Sequence, residues 1–305
     1  MIRRLLTCLI AAYCVVFVKI VLAFDSNILV KDDLGEAFEI QKPVKKIVSL
    51  APNITELLFE IGAGDLLVGV DEFSDYPLQA KSIQRVNNYS TVNYELLVAL
   101  QPDIIIAWAS GNGITTINKL KSLGFAVFAL EISSLDDFPN AYKRLGLIAS
   151  KIEESEKVSQ AFKDRWGTLK NRVPRTKTVR TFYQIWHDPI MTISGSHIIS
   201  EIISLCGGYN VFSEVKTLTP IIDMESIILK NPQAIISSGN TVLSEWVEFW
   251  KDWHVIDAVK QENIFLIPPD LLSRQTSRIL DGAEYLCDYI CLLYTSDAAD
   301  DLWCG

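Results

Sequence analysis

The sequence has few of the residues that usually hold metal ions or nucleic acids. It contains three histidines and six cysteines, and no two cysteines form a C-x-x-C pair, which argues against a structural zinc site. Its 28 lysines and arginines are outnumbered by 37 aspartates and glutamates, giving a net charge of −9. A general nucleic-acid-binding protein needs a basic surface to displace counterions from phosphates, so we expect no nucleic-acid partner.

Motifs of the common enzyme classes are also missing. The Gly-Asn-Gly run at 111–113 lacks the third glycine and the acidic partner of a dinucleotide fingerprint, and there is no phosphate-loop lysine motif. No G-x-S-x-G motif is present, and no carboxylate pair has the spacing of an acid–base motif. Among the histidines, His197 and His254 are predicted to be structural. His187, in a predicted cleft loop, could bind a metal, but a lone histidine more often packs or hydrogen-bonds. We therefore expect neither catalysis nor a resident metal or cofactor.

The N-terminal segment predicts export. Residues 1–23 combine basic residues, an apolar run and a small residue, Ala23, at the predicted cleavage position, as in a secretory signal peptide. An uncleaved membrane anchor is the alternative, and Lys19 within the apolar stretch disfavours it. Neither Cys8 nor Cys14 lies in a lipoprotein cleavage box. The mature chain is therefore predicted to be periplasmic.

The C-terminal segment 291–305 is unrelated in composition to the amphipathic helix before it. It resembles translated sequencing-adapter DNA and is therefore predicted to be a non-native tail. Two cysteines, Cys206 and Cys287, remain between the two ends. In an oxidising compartment such a pair favours a disulfide, and two buried, unpaired thiols are the alternative.

The rest of the chain contains a repeated unit. Residues 95–105 and 225–235 each predict a short helix, a proline that ends it, and a buried strand. Upstream, residues 53–64 and 196–208 each contain a helix cap, a glutamate early in the helix (Glu56 and Glu201), an apolar stripe and a terminal glycine. Because both matches occur in the same order, we predict a duplicated α/β unit.

Short apolar segments alternating with helices predict parallel sheets covered on both faces. In the first half, strands are predicted at 46–50, 67–70, 104–108 and 126–130. Residues 133–173 have no strand pattern, and their apolar residues recur at helical spacing, which predicts one connecting helix of about 35 residues. The domains are therefore predicted as an N-terminal lobe, 24–132, this connecting helix, and a C-terminal lobe, 174–290. A stiff connection predicts only modest closure of the lobes.

Ligands of doubly wound sheets bind beyond the carboxyl ends of the strands. The loops predicted there carry aromatic side chains from both lobes, which favours a large, flat, partly apolar ligand between them. Any single ring could instead fill the core beneath its loop. The aromatic residues are Phe73, Tyr76, Tyr89, Trp108 and Trp186.

Glu95 and Glu225 occupy equivalent positions in the repeat, two residues after the predicted helix caps Asn93 and Asp223. One role for each is to complement the helix dipole, which contributes ~0.3–1 kcal/mol. A second role follows from the duplication, since two equivalent lobes would expose one acid each. A two-fold symmetric partner with basic pockets could bind both acids, and the two roles are compatible.

Several motifs resemble those of the periplasmic binding proteins of metal-chelate importers. These motifs are residues 45–56, Gly69-Val70 before Ser74–Pro77, and 100–105. These proteins form class III of the periplasmic binding proteins. They have two Rossmann-like lobes joined by a single long backbone helix, and they serve ABC importers of siderophores, haem and cobalamin. The resemblance extends from 45 to 290. Members that bind cobalamin match best, at positions 75–77, 106–108, 206–208 and 270–287.

The resemblance implies roles for individual residues. Phe73, Tyr89 and Trp108 would line the ligand cleft, and Asp270 and Arg274 would be polar ligand-binding residues of the second lobe.

It further implies that Glu95 and Glu225 dock onto arginines of a dimeric permease, and that Cys206 pairs with Cys287. The chain departs from the cobalamin-binding pattern at two of its aromatic positions and near Thr219-Pro220, where a second-lobe aromatic is replaced. Trp186, in a strand-end loop of that lobe, is the candidate to compensate.

The expected protein is thus a monomeric periplasmic receptor for cobalamin or a related corrinoid. It would deliver this cargo, which is no cofactor, to an ABC importer of the inner membrane. An iron–siderophore or haem receptor of the same fold is the first alternative, and several arginines in the cleft would favour it because siderophores often carry negative charge. A Rossmann-like enzyme is the second, and the missing phosphate loop disfavours it.

Overall fold

The computed structural model describes residues 28–40, 43–88, 91–172, 178–238 and 243–295. The predicted signal peptide at 1–23, the predicted site residue Tyr89 and the segment 296–305 lie outside these ranges. None of the helices in the described ranges has both the length and the apolar character needed to span a bilayer.

Strands and helices alternate along most of the chain. The strands are β1 (Ile28–Lys31), β2 (Ala37–Ile40), β3 (Ile47–Ser49), β4 (Leu67–Asp71), β5 (Arg85–Asn87), β6 (Ile104–Trp108), β7 (Val127–Leu130), β8 (Val179–Gln184), β9 (Gly208–Asn210), β10 (Ala234–Ser238) and β11 (Ile264–Ile267). The α-helices are α1 (Pro52–Glu60), α2 (Tyr94–Leu100), α3 (Ala109–Asn112), α4 (Ile114–Ser122), α5 (Phe138–Ala149), α6 (Ile152–Arg172), α7 (Ile198–Leu205), α8 (Met224–Lys230), α9 (Leu243–Lys251), α10 (Asp257–Lys260) and α11 (Ile279–Thr295).

Two parallel sheets form the two lobes, and the predicted fold class is confirmed. The first sheet has the order β5-β4-β3-β6-β7 and the second the order β11-β10-β8-β9, while β1 and β2 form a separate antiparallel hairpin. All pairings within the two larger sheets are parallel. The strand order reverses between β3 and β6 and again between β8 and β10. These two switch points are where a ligand site is expected.

The repeated unit is present in both lobes with the same local geometry. Asn93 and Asp223 cap α2 and α8, and each side-chain oxygen accepts a hydrogen bond from the backbone N–H three residues later, at 3.0 and 2.7 Å. Each helix ends at a residue in the left-handed region, Gln101 (φ 50°) and Asn231 (φ 41°). A proline follows each of these residues and prevents the helix from continuing.

The connection between the lobes differs from the prediction of one helix of about 35 residues over 133–173. The first helix, α5, stops at Ser150, whose φ of 55° is left-handed. The second, α6, has 21 residues and folds back against α5, so that the rings of Phe138 and Phe162 stack with centroids 4.5 Å apart. The predicted length of about 35 residues is wrong, because the break at Ser150 carries no glycine or proline and the apolar spacing continues on both sides of it. The long helix of the connection is α6 alone.

One continuous apolar core crosses from lobe to lobe. Its buried side chains include Ile54 and Phe128 of the first lobe, Phe162 of α6, and Ile202 and Ile279 of the second. Because close-packed interiors resist deformation, this continuity supports the expectation of a stiff connection.

The predicted disulfide between Cys206 and Cys287 is confirmed. It joins the end of α7 to α11, and both cysteines are buried. The last helix continues beyond residue 290, as far as Thr295.

Candidate functional site

A cavity of about 630 Å³ lies between the lobes at the carboxyl ends of strands from both sheets. Trp108 is the last residue of β6 and Glu131 follows β7, while Ile185 follows β8 and Ser238 ends β10. The lining residues are Trp108, Ser110, Gly111, Glu131, Ile132, Ser133, Tyr183, Ile185, Ser196, His197, Ile198, Ile199, Leu218, Thr219, Ser238, Leu272, Ser273 and Gln275. The volume falls within the range of ordinary small-molecule sites.

The described residues of the lining carry no positive charge at neutral pH. None of the described residues that line the cavity is a lysine or an arginine. Burial lowers the pKa of His197 to about 4, so its imidazole is neutral. The Nδ1 atom of this ring accepts a hydrogen bond from the backbone N–H of Ile199 at 3.2 Å and thereby caps α7. His197 therefore has the predicted structural role as a helix cap, and it also lines the cavity.

A second recess of about 450 Å³ lies in the first lobe and shares the wall formed by Trp108. Asp71 is among its lining residues, and burial raises the pKa of the Asp71 carboxyl. Asn87 donates from Nδ2 to Asp71 Oδ2 at 2.6 Å and to the Leu50 carbonyl at 3.1 Å. The Asn87 Oδ1 atom is buried and has no hydrogen-bond partner among the described residues. The recess therefore offers hydrogen-bond acceptors.

The structure brings together two of the predicted aromatic residues. Trp108 lines both cavities, and Phe73, which is 56 % exposed, lines the first-lobe recess. Trp186 lines neither of them. Its side chain is 61 % exposed, and its Nε1 atom donates to the Asp188 carbonyl at 2.9 Å.

The predicted polar pair, Asp270 and Arg274, lies beside the cavity and lines neither recess. Arg274 Nε contacts Asp270 Oδ1 at 3.1 Å, and Arg274 Nη1 donates to Glu56 Oε1 at 2.9 Å and to Asp75 Oδ1 at 2.8 Å. Arg278 binds the same glutamate, with donors 2.9 and 2.8 Å from its two carboxylate oxygens. We call these five residues the interlobe network. Glu56 and Asp75 belong to the first lobe, and Asp270, Arg274 and Arg278 belong to the second.

The interlobe network connects the lobes directly next to the ligand cavity. Ser273 and Gln275 flank Arg274 in sequence and line the cavity. The Glu56 side chain is 1 % exposed and that of Arg274 13 %, so the pair is largely shielded from water. Burial acts to raise the pKa of Asp75, but its hydrogen bond with Arg274 and the charge of that arginine outweigh burial and lower the pKa. The predicted cleft arginine thus bridges the two lobes.

The remaining candidate residues lie away from the cavity. His187 packs edge-on against the ring of Phe249, with centroids 4.4 Å apart. Across the described parts of the chain, no group of three or more His, Cys, Asp or Glu residues is arranged to hold a metal ion. Glu95 and Glu225 are exposed in the first turns of α2 and α8, at equivalent corners of the duplicated unit.

Sequence reasoning missed Glu131, although a signal for it exists. It directly follows the buried strand β7, and side chains in this position reach the carboxyl edge of a parallel sheet. Arg278 was noted only as part of a matching segment, because its partner Glu56 lies 222 residues away along the chain.

Comparison with known proteins places these features in a family. A model of the family described as "Periplasmic binding protein" matches residues 47–271. The vitamin B12-binding protein of Vibrio cholerae (strain El Tor Inaba N16961) is 35% identical over 249 residues, covering 81% of this chain and 90% of the relative. The protein of that name from Yersinia pestis is 31% identical, covering 82% and 88%.

Solved structures agree with the fold. The periplasmic vitamin B12-binding protein of Vibrio cholerae matches with a TM-score of 0.77 and 34% identity, covering 83% of this chain and 98% of the other. A periplasmic haem-binding protein from Pseudomonas aeruginosa matches with a TM-score of 0.72 at 18% identity, covering 81% and 92%, and at that identity it supports the fold alone. Two lobes with parallel sheets, a shared cavity at their strand ends and this degree of similarity lead to one conclusion: the chain belongs to the periplasmic binding protein family.

Proposed function

We propose that this chain captures cobalamin or a related corrinoid in the interlobe cavity and delivers it to an ABC importer of the inner membrane, without chemical change. The observation that carries the proposal is a cavity shared by both lobes, walled by Trp108, whose described lining has no lysine or arginine. Relatives of this chain at 35% and 31% identity are named vitamin B12-binding proteins. Export by residues 1–23 and a monomeric state belong to the same proposal.

The lining suits a broad ligand that is apolar on its face and amide-rich at its edge. The indole of Trp108 and the side chains of Ile185 and Leu218 offer apolar surface, whose burial contributes about 25 cal/mol per Å². Uncharged polar groups such as Thr219 and Gln275 can pair with amides, which would otherwise be costly to bury. Haem and many siderophores carry carboxylates or other negative groups, and the described part of the lining has no lysine or arginine to pair with them.

Titration of the purified protein with cyanocobalamin, haem and a ferric siderophore tests the proposal. We expect cyanocobalamin to bind most tightly in side-by-side isothermal titration calorimetry. Preferential binding of haem or of the siderophore would replace the proposed ligand with that chelate. Binding of none of the three would remove the proposal.

Trp108→Ala should weaken cyanocobalamin binding about 10- to 100-fold, because burying a large aromatic side chain contributes roughly 1.5–3 kcal/mol. Tyr285→Ala, which removes an exposed ring on α11, is the matched control and should bind as the wild type does. Trp186→Ala, measured alongside, decides whether that ring contributes although it lines neither cavity. An unchanged dissociation constant for Trp108→Ala would contradict a site built around this indole.

We propose that Glu95 and Glu225 are the contacts with the permease, one from each lobe. Their side chains are exposed on equivalent helices, which suits a two-fold symmetric partner with basic pockets. The double variant Glu95→Lys/Glu225→Lys should bind the permease at least about tenfold more weakly, because opposite charges at a docking site become like charges. Its affinity for cyanocobalamin should stay unchanged.

Binding to the permease in detergent or nanodiscs measures this effect. Glu154→Lys/Glu156→Lys makes the same change of charge at two exposed positions of α6 and is the matched control. If both double variants lose the same affinity for the permease, the effect comes from the change in net charge, and the assignment of Glu95 and Glu225 as docking residues is wrong.

Ligand binding should change the overall shape of the protein little. The apolar core and the interlobe network connect the two lobes next to the cavity, so a large rotation would have to break buried contacts. Small-angle X-ray scattering should therefore give nearly the same radius of gyration with and without cyanocobalamin. A large compaction on binding would contradict a stiff connection.

A further inference from the structure

We infer that Glu131 and Gly111 lock the indole of Trp108 in one orientation, and that this orientation is what makes the ring an effective binding surface. The second half of the inference rests on the proposed function. Glu131 Oε1 accepts hydrogen bonds from Trp108 Nε1 and from Ser110 Oγ, each at 3.1 Å. Its other oxygen accepts from the Ser110 backbone N–H at 2.8 Å. The carboxylate therefore binds both the indole and the first turn after β6.

Gly111 supports the same ring from its other side. A Cβ atom at this position would overlap the six-membered ring of Trp108, approaching Cζ3 to 2.6 Å. The indole therefore lies directly against the backbone of Gly111, where any larger residue would displace it. The Trp108 backbone N–H also donates to Asn112 Oδ1 at 2.8 Å, and Asn112 Nδ2 donates to the Leu50 carbonyl at 2.9 Å.

Glu131 is itself held by the turn of the β1–β2 hairpin. Its backbone N–H donates to Asp33 Oδ2 at 2.6 Å. Asp33 forms two hydrogen bonds with Arg144 of α5, both 2.8 Å long. The β1–β2 hairpin, which belongs to neither of the two larger sheets, thus helps to position Glu131. The Glu131 carboxylate in turn holds the Trp108 indole.

This arrangement makes Glu131 a positioning residue. Its two carboxylate oxygens together accept three hydrogen bonds from Trp108 and Ser110 of the first lobe, so we assign its effect on the ligand to the indole that it holds. A side chain that is fixed before binding loses no rotational freedom when the ligand arrives, which raises affinity without adding a contact.

The orientation of the ring is measured first, in the protein without ligand. In a ¹H–¹⁵N spectrum, the indole N–H resonance of Trp108 is assigned as the one missing from Trp108→Phe. We expect Glu131→Ala to shift this resonance and to speed its exchange with solvent, because the acceptor is gone. Glu131→Gln keeps one acceptor oxygen and should restore most of the shift. Gly111→Ala should move the resonance by displacing the ring.

Affinity for cyanocobalamin is measured next, by calorimetry. Glu131→Ala and Gly111→Ala should each bind cyanocobalamin about tenfold more weakly, which is the effect expected from one lost hydrogen bond or one displaced contact. Glu131→Gln should retain most of the affinity. Gly167→Ala is the matched control, since a Cβ there meets nothing within 4 Å. Gly111 is exposed, so its variant tests the ring even if Glu131→Ala folds poorly.

Two results would overturn the inference. An indole resonance unmoved in both Glu131→Ala and Gly111→Ala would show that these residues do not hold the ring. A moved resonance with wild-type affinity would show that its orientation does not matter for binding. If the wild type binds no cyanocobalamin, the proposed function and the affinity half of the inference both fail, while the resonances still decide whether the ring is locked.

Discussion

Replacing Cys206 and Cys287 together by alanine is expected to lower the free energy of unfolding by about 4 kcal/mol. The disulfide joins residues separated by 81 positions, so in the unfolded chain it closes a long loop and removes many conformations. In the folded state both cysteines are buried in the second lobe. The cross-link therefore disfavours the unfolded state without requiring a new contact in the native one.

Urea unfolding followed by circular dichroism measures this loss. The wild type under reducing conditions is the informative control, because it opens the cross-link and keeps both sulfur atoms in the core. Cys291 is also disulfide-bonded, so the same reduction is measured in the double alanine variant and its effect there is subtracted. We expect most of the effect to appear in the reduced wild type as well. If reduction costs less than about 1 kcal/mol while the double alanine variant loses the full amount, packing of the side chains would be the cause.

Glu56→Ala is expected to lower the free energy of unfolding by about 3–5 kcal/mol, because it leaves buried charges without their partner. The Glu56 carboxylate receives hydrogen bonds from Arg274 and Arg278, and its side chain is 1 % exposed. Arg274 would keep Asp75 and Asp270, which are more exposed than Glu56, at 51 % and 35 %. Arg278 would keep its stacking on the ring of Tyr76, 4.0 Å from the ring centroid.

The duplication of the chain supplies the control for this variant. Glu201 occupies the equivalent position in the second lobe, but there it accepts a hydrogen bond from the backbone N–H of Leu135 at 3.0 Å and is only half-buried. Glu201→Ala should therefore cost only about 1 kcal/mol. Urea unfolding of the two variants at neutral pH compares them directly. Equal losses would mean that the arginine contacts across the lobes contribute no more than a single hydrogen bond.

Elements specified by short-range pattern could be predicted closely. The strands at 46–50, 67–70, 104–108 and 126–130 match β3, β4, β6 and β7 to within about two residues, because each is a compact apolar run between helices. The caps Asn93 and Asp223 were identified because side-chain capping involves residues only three positions apart. Strand β5 was missed, since it has three residues and Val86 alone is apolar.

The helix break at Ser150 shows why a periodic pattern has limits. Apolar residues recur at helical spacing on both α5 and α6, so the pattern predicts helix but not where the chain reverses direction. The reversal depends on a left-handed backbone at a serine, which packing of the two helices against each other stabilises.

The candidate site divides in the same way. Its place beyond the strand ends and the role of Trp108 in its wall followed from alternating strands and helices, because strand direction dictates where the carboxyl ends lie. Residue type and position along the chain could not tell that Arg274 pairs with Glu56, 218 residues away. They could not tell that Glu131 holds an indole 23 residues before it either. Such pairings depend on how the two lobes and their loops pack. Hydrogen bonds and ion pairs form between groups that are close in space, whatever their separation along the chain.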